Sequence, residues 1–431
     1  MRRFILFFAL LSSCNSVDEK KPDTPSSPNT QSSAVRPLPA GREVLFALSD
    51  SVTTLDPRKV QGMASSCITE LLFEGLTKVD PQGNVLPGVA TNIHVSPDMN
   101  TYTFTLRDAK WSNGDPVTAS DFEYSWKSQL TADTKAAANY LLFAIRSAKA
   151  AYEGNCPLEQ VAISCPDEKT LVVTLENPAP YFLRLTATPT YFPVHQKWTE
   201  EDANQHSYIT NGLYSLESWK PHEAIDLKRN DQHHAAAMTD ISKIHCPIVN
   251  EEKAYITYED GKLDWIGTPL CPINPEDYTA LQTAGKLKTA PAAGTFFVRI
   301  NTETGPFSNQ KFRQAFCLAI NAQEIINETM KEAATVATSF VPPSLGLTST
   351  YYTSNDTPRA QLLFKEALEE LHITQDSLPP ISFCFVSSPT MKKIGKILQK
   401  NWEEAFGIGI TLQDLEAPVF YDNVLSKDYM L

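Results

Sequence analysis

With 431 residues, the chain is long enough for two or three domains, each with its own core. Its 42% hydrophobic and 20% charged content is that of a soluble globular protein, and no stretch reads as a membrane span. A formal charge of −13 and a pI near 5.2 exclude a phosphate-tracking groove, which needs surplus Lys and Arg, and the acidity reads as a solvated, self-repelling surface.

Arg2 and Arg3 precede the apolar run 4–11, which is too short to span a bilayer as a folded helix, and Leu11-Ser12-Ser13-Cys14 follows directly. This resembles a bacterial lipoprotein signal, which implies cleavage before Cys14 and lipidation of Cys14. The mature chain is then expected outside the cytoplasm, anchored by its lipid on the periplasmic side of a bacterial membrane. Residues 15–40 are Ser, Pro, Thr, Asn and Lys with few large apolar side chains, which predicts a flexible tether.

Folded structure is expected from Glu43, where Val44, Phe46 and Leu48 alternate as in a strand. Asp56-Pro57 marks a turn, and the spacing over 68–76 predicts a helix ending near Leu71, Leu72 and Gly75. Thr101 to Leu106 alternates, with Tyr102, Phe104 and Leu106 on one face. Asn113-Gly114-Asp115-Pro116 turns the chain, and Thr118 with Asp121 predicts a capped helix burying Phe122, Trp126 and Leu130. Leu171 to Leu175 is a further strand, broken afterwards by Pro178, Pro180 and Pro189. Asn211-Gly212 reads as a tight turn before a strand at 224–227.

Three runs point to one family. They are TLDPRKVQGM (54–63), LLFEGLTKVDPQGNVLPGVA (71–90) and PGVATNIHVSPDMNTYTFTLRDAKWSNGDPVTASDFEYSWK (87–127). Together they resemble the oligopeptide-binding family, the extracytoplasmic solute-binding proteins of peptide ABC importers. The resemblance implies an α/β, two-lobed periplasmic binding protein of the large peptide-binding type, with mixed sheets flanked by helices. Residues 41–62 and 205–290 then form a first lobe, 63–204 an inserted subdomain and 291–431 a second lobe. Members usually continue past the segment matching 422–431, so that lobe is expected to be incomplete.

By the same resemblance, Tyr181-Phe182 opens a helix, 209–214 is the return segment, 262–265 is a short strand after a helix, and TFFVRIN (295–301) is a strand. Residues 307–320 are then the helix after that strand. Ser308 reads as its cap, with Phe312, Ala315, Phe316 and Ala319 in one stripe. Val341-Pro342-Pro343 matches a proline turn. Residues 358–371 read as an amphipathic helix with Leu362, Leu363, Ala367 and Leu371 inward. Strands at 381–386 and 408–412 flanking a helix at 393–406 predict a parallel α/β unit.

Eight Cys less Cys14 leave seven, an odd number, and Cys156 with Cys165 is the best local disulfide candidate. His222, His233, His234, His245 and Cys246 form a dense patch, but their spacing fits no compact metal module, and His233-His234 reads as a solvated pair. No elbow, metalloprotease, phosphate-loop or dinucleotide motif is present, so neither an enzyme nor a cofactor is expected. Trp126 and Trp198 read as packing residues.

The resemblance implies that oligopeptides are bound in an inter-lobe cleft as an added strand and delivered to ABC permease subunits by a monomeric binding protein. The candidate ligand contacts are Ser51, Val52, Thr53, Asn211, Gly212, Trp265, Phe297 and Arg299, with Arg299 a countercharge for a carboxylate. Two alternatives stay open: a shortened paralogue acting as a surface lipoprotein without import, and a binder of another solute such as a metal chelate, haem or a cell-wall peptide.

Overall fold

The computed structural model describes residues 41–49, 52–136, 138–198, 208–290, 292–330, 334–345 and 350–431. The proposed lipidation site Cys14, the 15–40 tether and Ser51 lie outside the described residues. The described chain forms two compact units, one up to Asn274 and one from Pro275 to Leu431.

In the unit up to Asn274, β1 (Arg42–Leu45) is followed by α1 (Met63–Leu72) and by the hairpin of β2 (Thr77–Val79) and β3 (Val85–Pro87). Next come β4 (Ala90–Val95), β5 (Thr101–Leu106), α2 (Ala119–Ser128), β6 (Ile163–Asp167) and β7 (Thr170–Thr174). The chain returns through β8 (Tyr214–Lys220), β9 (Ala224–Arg229) and β10 (Ile241–Pro247) to α3 (Glu251–Glu259). β4-β5-β7-β6 is an antiparallel sheet, and β1-β10-β9-β8 is a mixed sheet in which β1 runs parallel to β10.

The period-2 pattern of β5 is realised as expected. Tyr102, Phe104 and Leu106 are buried, and the Tyr102 ring tilts against Phe182 at 4.9 Å. Phe182 belongs to a short helix capped by Tyr181, as the resemblance implied. The Asn113–Pro116 turn uses Gly114 at φ 91°, a conformation open to glycine at little cost. In α2 the Thr118 amide donates to the Asp121 carboxylate at 2.9 Å, while the Thr118 side chain caps the Asp121 amide. The same carboxylate accepts from Trp111 Nε1 at 3.1 Å, so the cap also fixes a buried indole. Phe122, Trp126 and Leu130 are buried, and Trp126 Nε1 donates to the Tyr191 carbonyl at 3.0 Å. Trp198 is buried too.

Two expectations for this unit need correction. The first helix runs over 63–72, not 68–76, because tertiary partners take the later groups. The Leu72 carbonyl accepts from Gly212 N–H, and the Gly75 and Leu76 carbonyls accept from residues 88–90. The Cys156–Cys165 disulfide is absent. Cys165 Sγ lies 3.3 Å from the Glu123 carboxylate and Cys156 Sγ 3.7 Å from the Ser147 carbonyl, so the two thiols face different acceptors. All seven described cysteines are free.

The unit from Pro275 contains α4 (Gln310–Leu318), α5 (Thr357–Glu370), β11 (Ile381–Val386), α6 (Pro389–Phe406), β12 (Ile410–Leu415) and α7 (Ala417–Ser426). β11 and β12 pair in parallel around α6, as the strand-helix-strand order requires. The core is aromatic. Phe364 stacks on Phe406 at 4.5 Å, Phe316 lies 5.1 Å from both Phe312 and Phe406, and Trp402 Nε1 donates to the Phe316 carbonyl at 2.9 Å. The cap of α4 is Asn309, not Ser308. Asn309 Oδ1 accepts from the Phe312 amide at 3.1 Å, while the Ser308 hydroxyl turns back to the Gly305 carbonyl. The inward stripe of α5 is Ala360, Phe364 and Ala367, and Leu362 is exposed, because the bulky Phe364 sets which face meets α4. Residues 295–301 do not form a strand, since among the described residues no neighbouring strand pairs with them.

Asp121 serves both a cap and a buried indole, so Asp121→Ala loses the first and orphans the second. The expected destabilisation is about 2–4 kcal/mol by urea unfolding, whereas Asp133→Ala, on an exposed turn, changes stability by less than about 0.5 kcal/mol.

Candidate ligand-binding site

The expected contacts of the first unit fall into two groups. Val52 is buried and Thr53 is exposed, just ahead of a rigid turn. That turn is held by Arg58, which pairs with Asp56 at 2.9 Å, donates to Ser128 and lies over the Trp198 ring at 5.6 Å. Burial opposes the charge of Arg58 and the Asp56 carboxylate outweighs it, leaving the guanidinium pKa raised. Sequence reasoning found the Asp56-Pro57 turn but not this buried ion pair, whose only signal was an acid and a base flanking the proline. Trp265 is half-buried beside Phe46, and the Asp264 carboxylate accepts from the Leu45 amide at 2.8 Å. Gly267, at φ 145°, lies so near the Trp265 ring that a Cβ there would come within 3.0 Å of it.

Asn211 and Gly212 form the second group, and their polar groups are bonded within the unit. Asn211 Oδ1 accepts from the Glu74 amide at 3.1 Å, and its Nδ2 donates to the Glu74 carbonyl at 3.0 Å. Gly212 N–H donates to the Leu72 carbonyl at 2.8 Å, and the Gly212 carbonyl accepts from Asn230 Nδ2 at 3.2 Å. Gly212 is therefore a close-approach glycine, not the flexible residue of a tight turn. A Cβ there would sit 2.4 Å from the Leu72 carbonyl carbon.

Glu74, fixed by Asn211, turns its carboxylate toward two neighbouring imidazoles tilted by 34°. His234 Nε2 lies at 2.9 Å, His233 Nε2 at 3.4 Å, and the rings are 4.2 Å apart. The expectation of a solvated pair is corrected here, because His233 is largely buried and both rings cover a buried acid. The ligand atoms of Glu74, His233 and His234 lie within 4.8 Å of one another, so the trio was tested as a metal site. A metal on Nε2 requires the ring proton on Nδ1, where it must donate. Here His233 Nδ1 accepts from the Ala235 amide at 3.1 Å, and His234 Nδ1 faces the Arg107 guanidinium, which can only donate, at 2.9 Å. Both rings therefore carry their proton on Nε2, toward Glu74, and the trio does not fit a metal. His245 is bonded separately to Asp226, and Cys246 is buried.

The expected contacts of the second unit, Phe297 and Arg299, lie on one stretch pinned at both ends. Thr295 Oγ1 donates to the Phe340 carbonyl at 3.0 Å. At the other end the Asn301 amide donates to the Met430 carbonyl at 2.9 Å, and Asn301 Nδ2 donates to the Lys427 and Tyr429 carbonyls at 3.0 Å. Between the pins, among the described residues, the main chain of 295–300 makes no hydrogen bond. Val298 and Ile300 pack on the core, while Phe297 and Arg299 face water. Phe296 is 78% exposed, Phe297 56% and Phe340 58%, with the last two rings meeting edge-on at 5.0 Å. Among the described residues Arg299 has no ion-pair partner.

Burial alone would raise the Glu74 carboxyl, but the N–H groups of His233 and His234 outweigh it and hold the pKa down to about 2, against an ordinary 4.5. A depressed acid stabilises the folded state above its unfolded pKa and loses that contribution as pH falls through the folded value. The destabilisation caused by Glu74→Gln is therefore expected to be about 3 kcal/mol at neutral pH and to shrink progressively as the pH falls from 4.5 toward 2, read from urea unfolding across that range.

Residues 84–431 match the family model described as bacterial extracellular solute-binding proteins, family 5 Middle. The chain is 33% identical over 390 residues to the oligopeptide-binding protein OppA of Bacillus subtilis, covering 88% of this chain and 72% of that one. It is 30% identical over 386 residues to the periplasmic oligopeptide-binding protein OppA of Escherichia coli, covering 86% and 70%. Among solved structures it resembles the murein tripeptide binding protein MppA of Escherichia coli, with TM-score 0.81, 26% identity, and 91% and 79% of the two chains covered. Haemophilus influenzae OppA in complex with RPPGFSPFR matches with TM-score 0.80, 25% identity and the same coverage. These neighbours share the two-lobed α/β architecture expected from the sequence. With its mixed and antiparallel sheets, its parallel α/β unit and this match over most of its length, the chain belongs to the family 5 bacterial extracellular solute-binding proteins.

Proposed function

We propose that this protein binds oligopeptides outside the cytoplasm and hands them to an ABC-type peptide permease, held at the membrane by a lipid on Cys14. The observation that carries the reading is the 295–300 stretch, pinned by Thr295 and Asn301 and open between them. Main chain held at both ends and, among the described residues, without hydrogen bonds of its own can take up a peptide, which satisfies its own main chain there whatever its side chains are. Preorganisation lowers the ordering cost of binding, so the two pins are part of the site. The names of the relatives, oligopeptide-binding proteins among them, support the same ligand class. The Leu11-Ser12-Ser13-Cys14 run supports the lipid anchor.

Among the other candidates, exposed Thr53 and half-buried Trp265 are assigned to peptide contact, together with Ser51 and Val52 through their main chain. Asn211 and Gly212 are assigned to holding the return segment in place, because the Asn211 side chain and the Gly212 main chain are already engaged.

Isothermal titration with a mixed pool of tripeptides to pentapeptides is expected to release or absorb heat and to raise the thermal unfolding temperature. A cooperatively folded sample that shows neither response overturns the peptide reading. Asn301→Ala, which frees one end of the open stretch, is expected to weaken binding of the pool about tenfold while leaving unfolding cooperative.

A further inference from the structure

The unit up to Asn274 holds a cavity of about 350 Å³ that the peptide-binding reading does not use. One wall is the short 3-10 helix Asn139–Ala144, which carries Tyr140 and Phe143, and another is the segment 176–181 after β7, which carries Glu176 and Tyr181. Both walls are tied to the core and to each other. The Leu141 carbonyl accepts from the Tyr191 hydroxyl at 2.8 Å, the Ala179 carbonyl accepts from the Tyr102 hydroxyl at 3.3 Å, and the Glu176 amide donates to the Ala144 carbonyl at 2.9 Å.

The lining is chemically one-sided. Tyr140 is 62% exposed and Tyr181 58%, so two large rings line a cavity instead of packing inward. Phe143 is half-buried and steadied by the Tyr152 ring at 5.5 Å. Among the described residues that line the cavity, Glu176 alone is charged. One of its carboxylate oxygens accepts from the Ser147 amide at 3.2 Å, and among the described residues the carboxylate pairs with no cation. The face of an aromatic ring carries partial negative charge, so the rings and the carboxylate favour the same guest.

We propose that this cavity binds a small organic cation with an alkylated ammonium head group. Such a head group has no N–H to satisfy, so ring faces and one carboxylate are enough to hold it. A bare ammonium or a guanidinium would bring three to five donors, as a general property of those groups, into a lining with few acceptors. The volume suits a small-molecule site, and a chain of net charge −13 draws cations toward its surface. All the lining residues belong to one unit, so this site and the peptide site at 295–301 stand or fall separately.

The test titrates choline and its neutral isostere dimethylbutanol, in which a carbon replaces the charged nitrogen, into the full chain, followed by saturation-transfer NMR. Choline is expected to bind with a dissociation constant on the order of 1 mM and about tenfold more tightly than the alcohol. Glu176→Gln should weaken choline about threefold and leave the alcohol unchanged. Tyr140→Leu and Tyr181→Leu should each weaken choline about fivefold. Both rings are exposed, so these variants are expected to keep cooperative urea unfolding. Phe297→Ala, in the other unit, should change neither ligand. Equal affinity for choline and the alcohol reduces the site to an apolar cavity and overturns the proposal. Choline binding that is unchanged in Glu176→Gln and in both tyrosine variants, or that is lost in Phe297→Ala, places the cation elsewhere and overturns it too. So does the absence of any choline signal at tens of millimolar, with peptide binding untouched in each case.

Discussion

The architecture of the first unit depends on the bonds between Asn211 and Glu74. β1 and β10 share a sheet although residues 46–240 separate them in sequence, so the chain must be tied where it returns. Closing so long a loop costs entropy that grows slowly with length but cannot be avoided. Asn211 offsets part of that cost by imitating a rung of a β-ladder, giving an acceptor and a donor to the main chain of one residue. Gly212, without a Cβ, brings its amide onto the last carbonyl of α1. The two residues thus terminate a helix and close a sheet together.

The same junction explains why an acid is buried there. The Glu74 main chain is held by Asn211, so its carboxylate has little freedom to reach water; His234 supplies an N–H that solvent would otherwise provide, and His233 Nε2 lies 3.4 Å away without a hydrogen bond of its own. Their Nδ1 atoms are occupied by donors, which fixes the tautomer and leaves no lone pair for a metal. Residue types with metal-ligand chemistry are used here as a clamp on a carboxylate. Which of the two roles such a cluster takes is decided by what faces the far nitrogen of each ring.

The second unit shows the opposite economy. Its core is dense with aromatic contacts among Phe312, Phe316, Phe364, Trp402 and Phe406, yet the 295–300 stretch leaves Phe296 and Phe297 exposed and, among the described residues, its main chain without hydrogen bonds. Exposed apolar stretches of this kind attract other chains. In the proposed function that attraction is what takes up a peptide main chain.

What the sequence determined by itself was local. The alternation of Thr101–Leu106, the Thr118 and Asp121 cap, and the parallel pairing of residues 381–386 with the strand after the following helix were all legible, because each rests on neighbours a few residues apart. The motif runs made the family readable as well. Only the tertiary structure decided the rest. α1 stops at Leu72 because a distant glycine claims its carbonyl, the caps and faces of α4 and α5 shift with their packing partners, and Cys156 and Cys165 find acceptors other than each other. Arg58 and Glu74 became buried charges only once Trp198, His233 and His234 were folded over them. Phe297 and Arg299 were legible as candidates, but the openness of their stretch was not, since whether a β-prone segment pairs depends on what lies beside it in space, and the linear order of residues does not contain that neighbour.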